Sequence, residues 1–483
     1  MAPPGEHDDD FRHWKGYAKH LEGEVASKKA ELEELKAKLE AMQRQAFGRK
    51  SEKMPPMERE TRRDKEADQA ETQRKRKERA LAKTRLVTET VELKVPDEQR
   101  TCPHCHNPKL KSVGKGKPTT VYEYVPGYFR RRIFRRETLA CRCGEYIVNA
   151  PTPEKTTEAT RYGAGFVAHL IVSKCADSIP LYRLEKQYRR IGIPIARSTM
   201  TDLFHRNAEL ADPLVARLIA RIAASDIVLA DETTMRMQGT TKKAYIWAFL
   251  ADNLVAYRFS KDRSGKTPVE VLGASQGTLV VDAYTGYNAV TRPEGRERAG
   301  CLAHARRKLF EATSSYPEAN EALELIRQIY LVEHDARERG FSQTLQHAEM
   351  REKQTLPLMD KLYIWLTDRK NLHPPKSKMG KAVSYALANW QALTRFVKDV
   401  RLPPDNNRSE AALRAVALGR KNYLFVGNED AGNNIAGLYS LIATCEANEV
   451  NPVAYLRDVL PRLSTHPADR IDELLPDAWK PSS

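Results

Sequence analysis

The stretch DIVLADETTMRMQ, residues 226–238, sets an acidic residue directly after a short apolar run. The run from Ile227 to Ala230 is continuous and apolar, which is typical of a buried β-strand. Asp231 follows at the predicted end of that strand. A lone aspartate in such a position is usually a turn residue, so the importance of Asp231 depends on what the rest of the chain brings to it.

The segments that follow complete an α/β pattern. In order, they predict two strands, a helix and a fourth strand: KKAYIWAFLADN (242–253), LVAYRFSKDRSG (254–265), KTPVEVLGAS (266–275) and GTLVVDAYTGY (277–287). Asp282 comes directly after the apolar residues of the fourth strand, as Asp231 does after those of the first. The order of these elements resembles a ribonuclease H-like fold, in which the first and fourth strands are neighbours. Asp231 and Asp282 are therefore expected to converge.

A third carboxylate is predicted from the segment PPDNNRSE, residues 403–410. The prolines and the Asp-Asn-Asn run mark a helix start, and Glu410 follows one turn later. Asp405 competes for the same role, but helix capping alone explains its position. Three carboxylates can hold two divalent cations, and hard oxygen ligands favour Mg²⁺, with Mn²⁺ as the alternative.

The composition favours a polyanionic partner. Lysine and arginine outnumber the acidic residues by 80 to 64 in 483 residues, for a net charge of +16. Nucleic acid is the simplest such partner, and a generic basic surface is the alternative. No long apolar run and no secretory signal are present. We therefore expect a cytoplasmic protein of several domains with no membrane association.

The N-terminal region is predicted to contain a coiled coil and a linker. Apolar residues at heptad-like spacing in 21–46 favour self-association through a segment that we assign to residues 1–50. Residues 51–95 are charged and poor in apolar side chains, which is typical of a solvated linker and equally compatible with a DNA-binding arm.

Residues 96–152 are predicted to form a zinc-binding, zinc-ribbon-like domain. The four ligands would be the cysteines of CPHC and CRC: Cys102, Cys105, Cys141 and Cys143. The second pair is tighter than the usual C-x-x-C, so His104 or His106 is an alternative ligand, and a set of buried free cysteines is the alternative to a zinc site. Arginines between the two pairs alternate with aromatic residues and are candidate phosphate contacts: Arg130, Arg131, Arg132, Arg135 and Arg136.

Residues 153–222 predict a helix-turn-helix region. A helix, a break at Gly192 to Pro194 and a second helix follow one another, with Ser198 or Thr199 as the predicted N-cap. The second helix is a candidate for the major groove, with Arg197 as a DNA contact. The same pattern is also common in helical domains that bind no DNA.

The remaining chain is divided into a ribonuclease H-like catalytic domain, 223–425, and a C-terminal helical domain, 426–483. Apolar spacing of three and four predicts a helical insertion at about 315–400. Cys301 and His304 lie one helical turn apart; with no further ligand nearby in sequence, we interpret them as packing or DNA-contact residues. Four other basic residues are candidate phosphate contacts: Arg306, Arg307, Arg420 and Lys421.

Motifs along nearly the whole chain resemble those of one family. They are AFGRKSEK (46–53), CPHC (102–105), IPLYRLEKQYRRIGIPIARST (179–199), LADET (229–233), DAYTGY (282–287), GCLAHARRKLFEA (300–312), DNNRSEAALRAVALGRKNYLF (405–425), NPVAYLRDVLPRL (451–463) and IDELLPDAW (471–479). The family is that of the insertion sequence sixty-six transposases, bacterial enzymes with an Asp-Asp-Glu site. The resemblance assigns the three acids to Asp231, Asp282 and Glu410.

The resemblance also implies an activity and partners. A transposase of this type would bind the ends of its element in double-stranded DNA, cleave them and join the 3′ ends to target DNA. Such a protein would act on the bacterial nucleoid as at least a dimer, with possible accessory proteins of the same element. Two alternatives remain: a catalytically inactive DNA-binding regulator derived from a transposase, and a structure-specific nuclease of the same fold.

Overall fold

A computed structural model describes residues 160–481, two short strands ahead of them and a few isolated residues. The two strands, β1 (Thr138–Ala140) and β2 (Ile147–Asn149), pair in antiparallel orientation. The coiled coil, the linker, the four predicted zinc ligands and the arginines from Arg130 to Arg136 lie outside the described residues. Those assignments stay predictions.

Three helices precede the main sheet: α1 (Ala164–Cys175), α2 (Leu181–Arg190) and α3 (Arg197–Ala224). The turn between α2 and α3 contains Gly192 at φ +86°, a conformation that glycine adopts without a steric penalty. The predicted cap of α3 is wrong. The helix begins at Arg197, its N-cap is Ala196, and no side chain caps it.

The main sheet has five strands: β3 (Ile227–Arg236), β4 (Lys243–Ala251), β5 (Leu254–Ser260), β6 (Thr278–Val280) and β7 (Glu297–Ala299). Their spatial order is β5-β4-β3-β6-β7. The first three strands pair antiparallel, whereas β6 and β7 run parallel to β3. The described chain is thus a mixed α/β protein with a small mixed sheet, and this order is consistent with a ribonuclease H-like core.

Parallel pairing of β3 with β6 depends on a close approach of two backbones. The Thr278 amide donates a hydrogen bond of 2.6 Å to the Asp226 carbonyl. Gly277, at φ +108°, stands where a Cβ atom would lie 2.2 Å from that same oxygen. A side chain at this position would push the start of β6 away from β3, and glycine avoids the clash.

Helices cover the sheet and fill the interval between β7 and the end of the chain. They are α4 (Lys266–Leu272), α5 (Leu302–Ala312), α6 (Ala319–Glu338), α7 (Leu345–Met350), α8 (Leu356–Arg369), α9 (Lys378–Ala388), α10 (Trp390–Lys398), α11 (Asn407–Tyr423), α12 (Glu429–Ala447) and α13 (Pro452–Arg462). Among the described residues, no helix has the length and the apolar character that crossing a membrane requires.

Helix α12 covers the β5 edge of the sheet. Edge strands present unpaired backbone groups, and β5 is such a strand. The Ser440 hydroxyl accepts a hydrogen bond of 2.7 Å from the Tyr257 amide. The Thr444 hydroxyl accepts from the Val255 amide at 3.1 Å and donates to the Val255 carbonyl at 2.9 Å. Two buried hydroxyls on one helix thus replace the partner strand that β5 lacks.

A buried arginine joins helix α6 to the segment that follows α10. Arg351 is 1% exposed and forms a two-pronged ion pair with Glu333, at 2.8 and 2.7 Å. The same guanidinium donates to the carbonyls of Asp399 and Leu402, at 2.9 and 3.1 Å. These carbonyls belong to the segment that leads into α11, so Arg351 helps to fix where α11 begins.

Candidate active site

Asp231 within β3 and Asp282 just beyond the end of β6 occupy matching positions on neighbouring segments. Leu229 pairs with Val280 in the parallel ladder, and each aspartate is two residues further along its own chain. Asp231 was predicted at the end of its strand, which is wrong, because β3 continues to Arg236. The pairing with β6 does end at Leu229, so beyond that point β3 has no strand beside it on this side. The two aspartates share this opening.

Glu410 reaches the same region because α11 starts against β3. The N-cap residue Asn406 is buried, and its side-chain Nδ2 donates a hydrogen bond of 2.7 Å to the carbonyl of Ala230. Ala230 directly precedes Asp231. The Glu410 amide donates to the Asn406 carbonyl at 3.2 Å, which sets Glu410 one helical turn from the contact.

The pKa of Asp231 reflects the proximity of the other acids. The pKa of Asp231 is raised to about 7, first by burial and then by the negative charge of Glu232. The charges of Glu410 and Asp282 raise this pKa further, whereas a hydrogen bond from the Glu232 amide lowers it. A carboxyl group with these neighbours lacks a compensating positive charge, and a bound cation would supply one.

Asp405 has a different role. Its Oδ1 accepts the Asn407 amide at 3.0 Å, and its Oδ2 accepts the Asn407 side-chain amide at 2.7 Å and the Tyr330 hydroxyl at 2.9 Å. Both oxygens are thus engaged in holding the start of α11 and its contact with α6. This arrangement favours Glu410 over Asp405 as the third acid.

The Glu410 carboxylate faces α5 in this structure. Its Oε1 lies 3.8 Å from His304 Nδ1, and its Oε2 lies 3.7 Å from Arg307 Nη2. Among the described residues, one set of three side chains could hold a metal ion, and it consists of Cys301, His304 and Glu410, with ligand atoms within 4.8 Å of one another. The sequence interpretation of Cys301 and His304 as residues without a further ligand is therefore incomplete, because it considered only neighbours in the sequence.

A second polar network, which the sequence did not reveal, supports the two aspartates. The Glu232 side chain, 2% exposed, accepts hydrogen bonds from Arg263 Nε at 2.8 Å and from the Tyr287 hydroxyl at 2.7 Å. Arg263 also stacks 3.9 Å above the ring of Tyr284, whose amide donates to Asp282 Oδ1 at 2.9 Å. The sequence signals for this network were the second acid of ADET and the tyrosines of DAYTGY. The spacing of these residues does not reveal that their side chains contact one another.

The predicted DNA-contact residues in the described region lie on three helices. Arg197 opens α3, is exposed, and pairs with Glu185 at 3.1 Å. Arg306 and Arg307 are on α5, the latter beside Glu410. Lys421 is exposed near the end of α11, whereas the Nη1 atom of Arg420 donates to Thr233 and Thr234 of β3 at 2.6–2.9 Å. Arg420 therefore also joins α11 to β3.

Replacing Asp231 by asparagine is expected to stabilise the protein above pH 7 in buffer without divalent cations. The folded-state pKa of about 7 exceeds the ordinary value of 3.8, so the unfolded chain loses this proton first as the pH rises. The aspartate therefore costs stability progressively between these two values, and the full cost persists at higher pH. Allowing for solvent access, we expect Asp231→Asn to raise the free energy of unfolding in urea by about 1–3 kcal/mol at pH 8.

The same variant should show little gain near pH 4. Asp226→Asn is the matched control, because Asp226 immediately precedes β3 and its side chain is 81% exposed. An equal gain at pH 4 and pH 8 would attribute the effect to packing and not to the charge.

Comparison with known proteins gives two family matches and several relatives. Residues 159–434 match the family described as Transposase IS66 family, and residues 440–476 match the IS66 C-terminal element. The chain is 32% identical over 410 residues to the protein y4jD of Sinorhizobium fredii (strain NBRC 101917 / NGR234), described as uncharacterized; the match covers 80% of this chain and 79% of that one. A second uncharacterized protein of that strain, y4hP, is 30% identical over 410 residues, covering 79% and 74%. The resemblance found from the motifs is confirmed, and the chain belongs to the IS66 family of transposases.

Proposed function

We propose that this protein is a DNA transposase that binds the ends of its element, cleaves them and joins the 3′ ends to target DNA. One observation carries the proposal: β3, β6 and the start of α11 bring Asp231, Asp282 and Glu410 into one electrostatic environment, in which each of the other two acids raises the pKa of Asp231. Family membership supports transposition and DNA binding. The fold that we propose for the core is ribonuclease H-like, and its strand order supports this.

Asp231, Asp282 and Glu410 are the proposed ligands of a divalent cation pair, Mg²⁺ or Mn²⁺. The chemistry of the donors fits a divalent cation, because all three are carboxylates. The raised pKa of Asp231 also indicates that its surroundings contain negative charge that a cation would neutralise. When bound, such a pair supplies activation of the attacking oxygen and stabilisation of the leaving oxygen in a phosphodiester displacement. Glu410 would have to turn from His304 toward the aspartates to complete the set.

The chain's own residues orient this site. Glu232 directs its side chain to Arg263 and Tyr287, on the opposite face of β3 from Asp231, because successive side chains of a strand alternate. Arg263 then holds the ring of Tyr284, and the Tyr284 amide holds one oxygen of Asp282. We propose that this chain of contacts keeps Asp282 facing Asp231 in the absence of any cation.

DNA recognition is proposed to involve several parts of the molecule. The exposed face of α2 carries Arg183, Lys186 and Arg190, and Arg197 follows at the start of α3. A basic surface beside an exposed helix start suits contact with phosphates and with the major groove. Nearer the three acids, the proposed phosphate contacts are Arg306, Arg307 and Lys421, with Arg420 as a further candidate.

A zinc-binding domain is also proposed, with Cys102, Cys105, Cys141 and Cys143 as the zinc ligands. Its proposed DNA contacts are Arg130, Arg131, Arg132, Arg135 and Arg136.

Assembly into at least a dimer on double-stranded DNA is also proposed, because two element ends must be joined in one reaction. The predicted coiled coil is the proposed contact between copies, and accessory proteins of the element are possible further partners. A chain without residues 1–46 should form particles that contain fewer chains than those of the full chain, as calculated from the mass measured by light scattering. An unchanged number of chains per particle would contradict the coiled coil as the contact.

The three acids can be tested with an element-end duplex, target DNA and Mg²⁺. Because outer contacts of metal ligands are already worth about 10–100-fold, we expect Asp231→Asn, Asp282→Asn and Glu410→Gln each to reduce cleavage and joining by at least about a hundredfold. Binding of the end duplex, measured by fluorescence anisotropy, should remain. Asp226→Asn is the control and should keep its activity.

The products discriminate the alternatives. Nicked ends that are never joined would favour a structure-specific nuclease of the same fold. Tight end binding with no metal-dependent chemistry in the unmodified protein would favour an inactive regulator.

Arg197 can be tested separately from the chemistry. If α3 enters the major groove, Arg197→Ala should weaken binding to the end duplex by about 1–3 kcal/mol and to unrelated duplex by much less. Arg189→Ala is a matched control, because Arg189 pairs with the same Glu185, at 3.3 Å, from α2. Equal losses for both sequences would mean that Arg197 contacts phosphate alone.

A further inference from the structure

Cys301, His304 and Glu410 form a compact cluster of three different donor types. Cys301 is the N-cap of α5 and His304 lies within its first turn, so both side chains approach the start of α11. The sulfur, nitrogen and oxygen atoms that could bind a cation all lie within 4.8 Å of one another. Two helices that are distant in the sequence thus present a shared set of ligands.

Two of these donor atoms are buried and lack a partner. His304 Nδ1 and Glu410 Oε1 are enclosed, and neither has a hydrogen-bond partner among the described residues. They face each other at 3.8 Å, which is too far for a hydrogen bond. Enclosed polar atoms without partners are costly, so their arrangement calls for a third group between them.

The spacing and chemistry fit a tetrahedral, thiophilic cation. Ligand atoms at 2.0–2.3 Å from a zinc ion lie roughly 3.3–3.8 Å from one another. His304 Nδ1 and Glu410 Oε1 already have such a separation, at 3.8 Å, and the remaining pairs lie within 4.8 Å. Three protein ligands that include sulfur and imidazole match a zinc site with one open position and do not match magnesium, which prefers oxygen ligands.

One backbone contact suits the Cys301 sulfur as a metal ligand, whereas burial raises the pKa of the free thiol to about 12, so the thiol would lose its proton only on binding a cation. The Asn406 amide donates a hydrogen bond of 3.2 Å to Cys301 Sγ, a contact typical of the groups behind metal-bound sulfur. Arg307 brings positive charge near the cluster, but it approaches Glu410 Oε2 at 3.7 Å and leaves Oε1 for the cation.

We propose that Cys301, His304 and Glu410 bind a zinc-class divalent cation, and that an ion bound there withholds Glu410 from Asp231 and Asp282. The binding site follows from the cluster itself. Its consequence rests on the proposed function, in which Glu410 is the third acid of the magnesium site. A zinc ion at this cluster and a magnesium pair at the aspartates compete for one carboxylate, so zinc inhibits the reaction.

Metal counting tests the site without any assay of activity. The full chain and its variants are equilibrated with Zn²⁺ and then freed of excess ion, and zinc per chain is measured by mass spectrometry. Cys301→Ser and His304→Ala are each expected to hold about one zinc ion fewer than the unmodified chain, since each removes one of three ligands. Cys445→Ser, at another buried free cysteine, is the control and should lose none.

A Co²⁺ spectrum gives an independent readout. Loading with Co²⁺ should produce a thiolate-to-metal absorption that is weaker in Cys301→Ser than in Cys445→Ser. Equal zinc content and equal spectra in all of these chains would overturn the proposed site. Circular dichroism of each variant shows whether the variant that has lost zinc is still folded. Two ligand variants are used so that the result does not depend on a single variant that misfolds.

Inhibition is tested in the joining reaction with Mg²⁺ by adding Zn²⁺. Activity with zinc is divided by activity without zinc for each chain, so a lower basal rate does not enter the result. We expect at least about a tenfold higher zinc concentration for half-inhibition in His304→Ala than in the unmodified chain. If zinc inhibits His304→Ala and the unmodified chain equally although the variant binds less zinc, the zinc site stands and its competition for Glu410 is rejected. A chain with no joining activity would reject the proposed function and leave the metal count to decide the site.

Discussion

The side-chain amide of Asn406 donates a hydrogen bond of 2.7 Å to the carbonyl of Ala230, and the position of Glu410 depends on it. Asn406 is 1% exposed, and its own backbone amide is held by the sulfur of Cys301. An unmade hydrogen bond at a buried carbonyl costs about 1–3 kcal/mol, so α11 cannot start elsewhere without a penalty. This contact joins the end of a long helical interval to the residue beside Asp231.

The helices between β7 and α11 have a structural role in this placement. The ion pair of Arg351 with Glu333 is buried, and removing one partner of such a pair typically costs about 3–5 kcal/mol. Arg351 also holds the carbonyls of Asp399 and Leu402, and Tyr330 of α6 holds Asp405. The segment from 399 to 406 is thus fastened by side chains from the helices that precede it. Without these contacts, the long helical interval between β7 and α11 would leave the position of Glu410 loosely defined.

The sequence predicts the elements of the core better than their contacts. The order of three strands, a helix and a strand follows from short apolar runs and turns, and the structure confirms it. The continuation of β3 to Arg236 was missed, because DETTMR is mostly polar and β4 is the strand that pairs with β3 along this stretch. The partners of Cys301 and Glu232 were also missed. They come from distant parts of the chain, and hydrophobic periodicity contains no information about which polar side chains meet.

The distribution of charge around β3 explains how a cluster of acids can be kept ready for a cation. Glu232 is neutralised by Arg263 on one face of the strand, whereas Asp231 on the other face has acids as its main charged neighbours. An arginine beside Asp231 would relieve the repulsion, but it would also occupy the place of the metal. Arg307 and His304 stand instead beside Glu410, the acid on a helix. Asp231 is fixed by β3, and its charged neighbours are acids. Asp282 follows β6 directly, with Arg263 and Arg298 in its electrostatic surroundings. Glu410 is thus the acid of the three that faces a histidine and an arginine on a neighbouring helix.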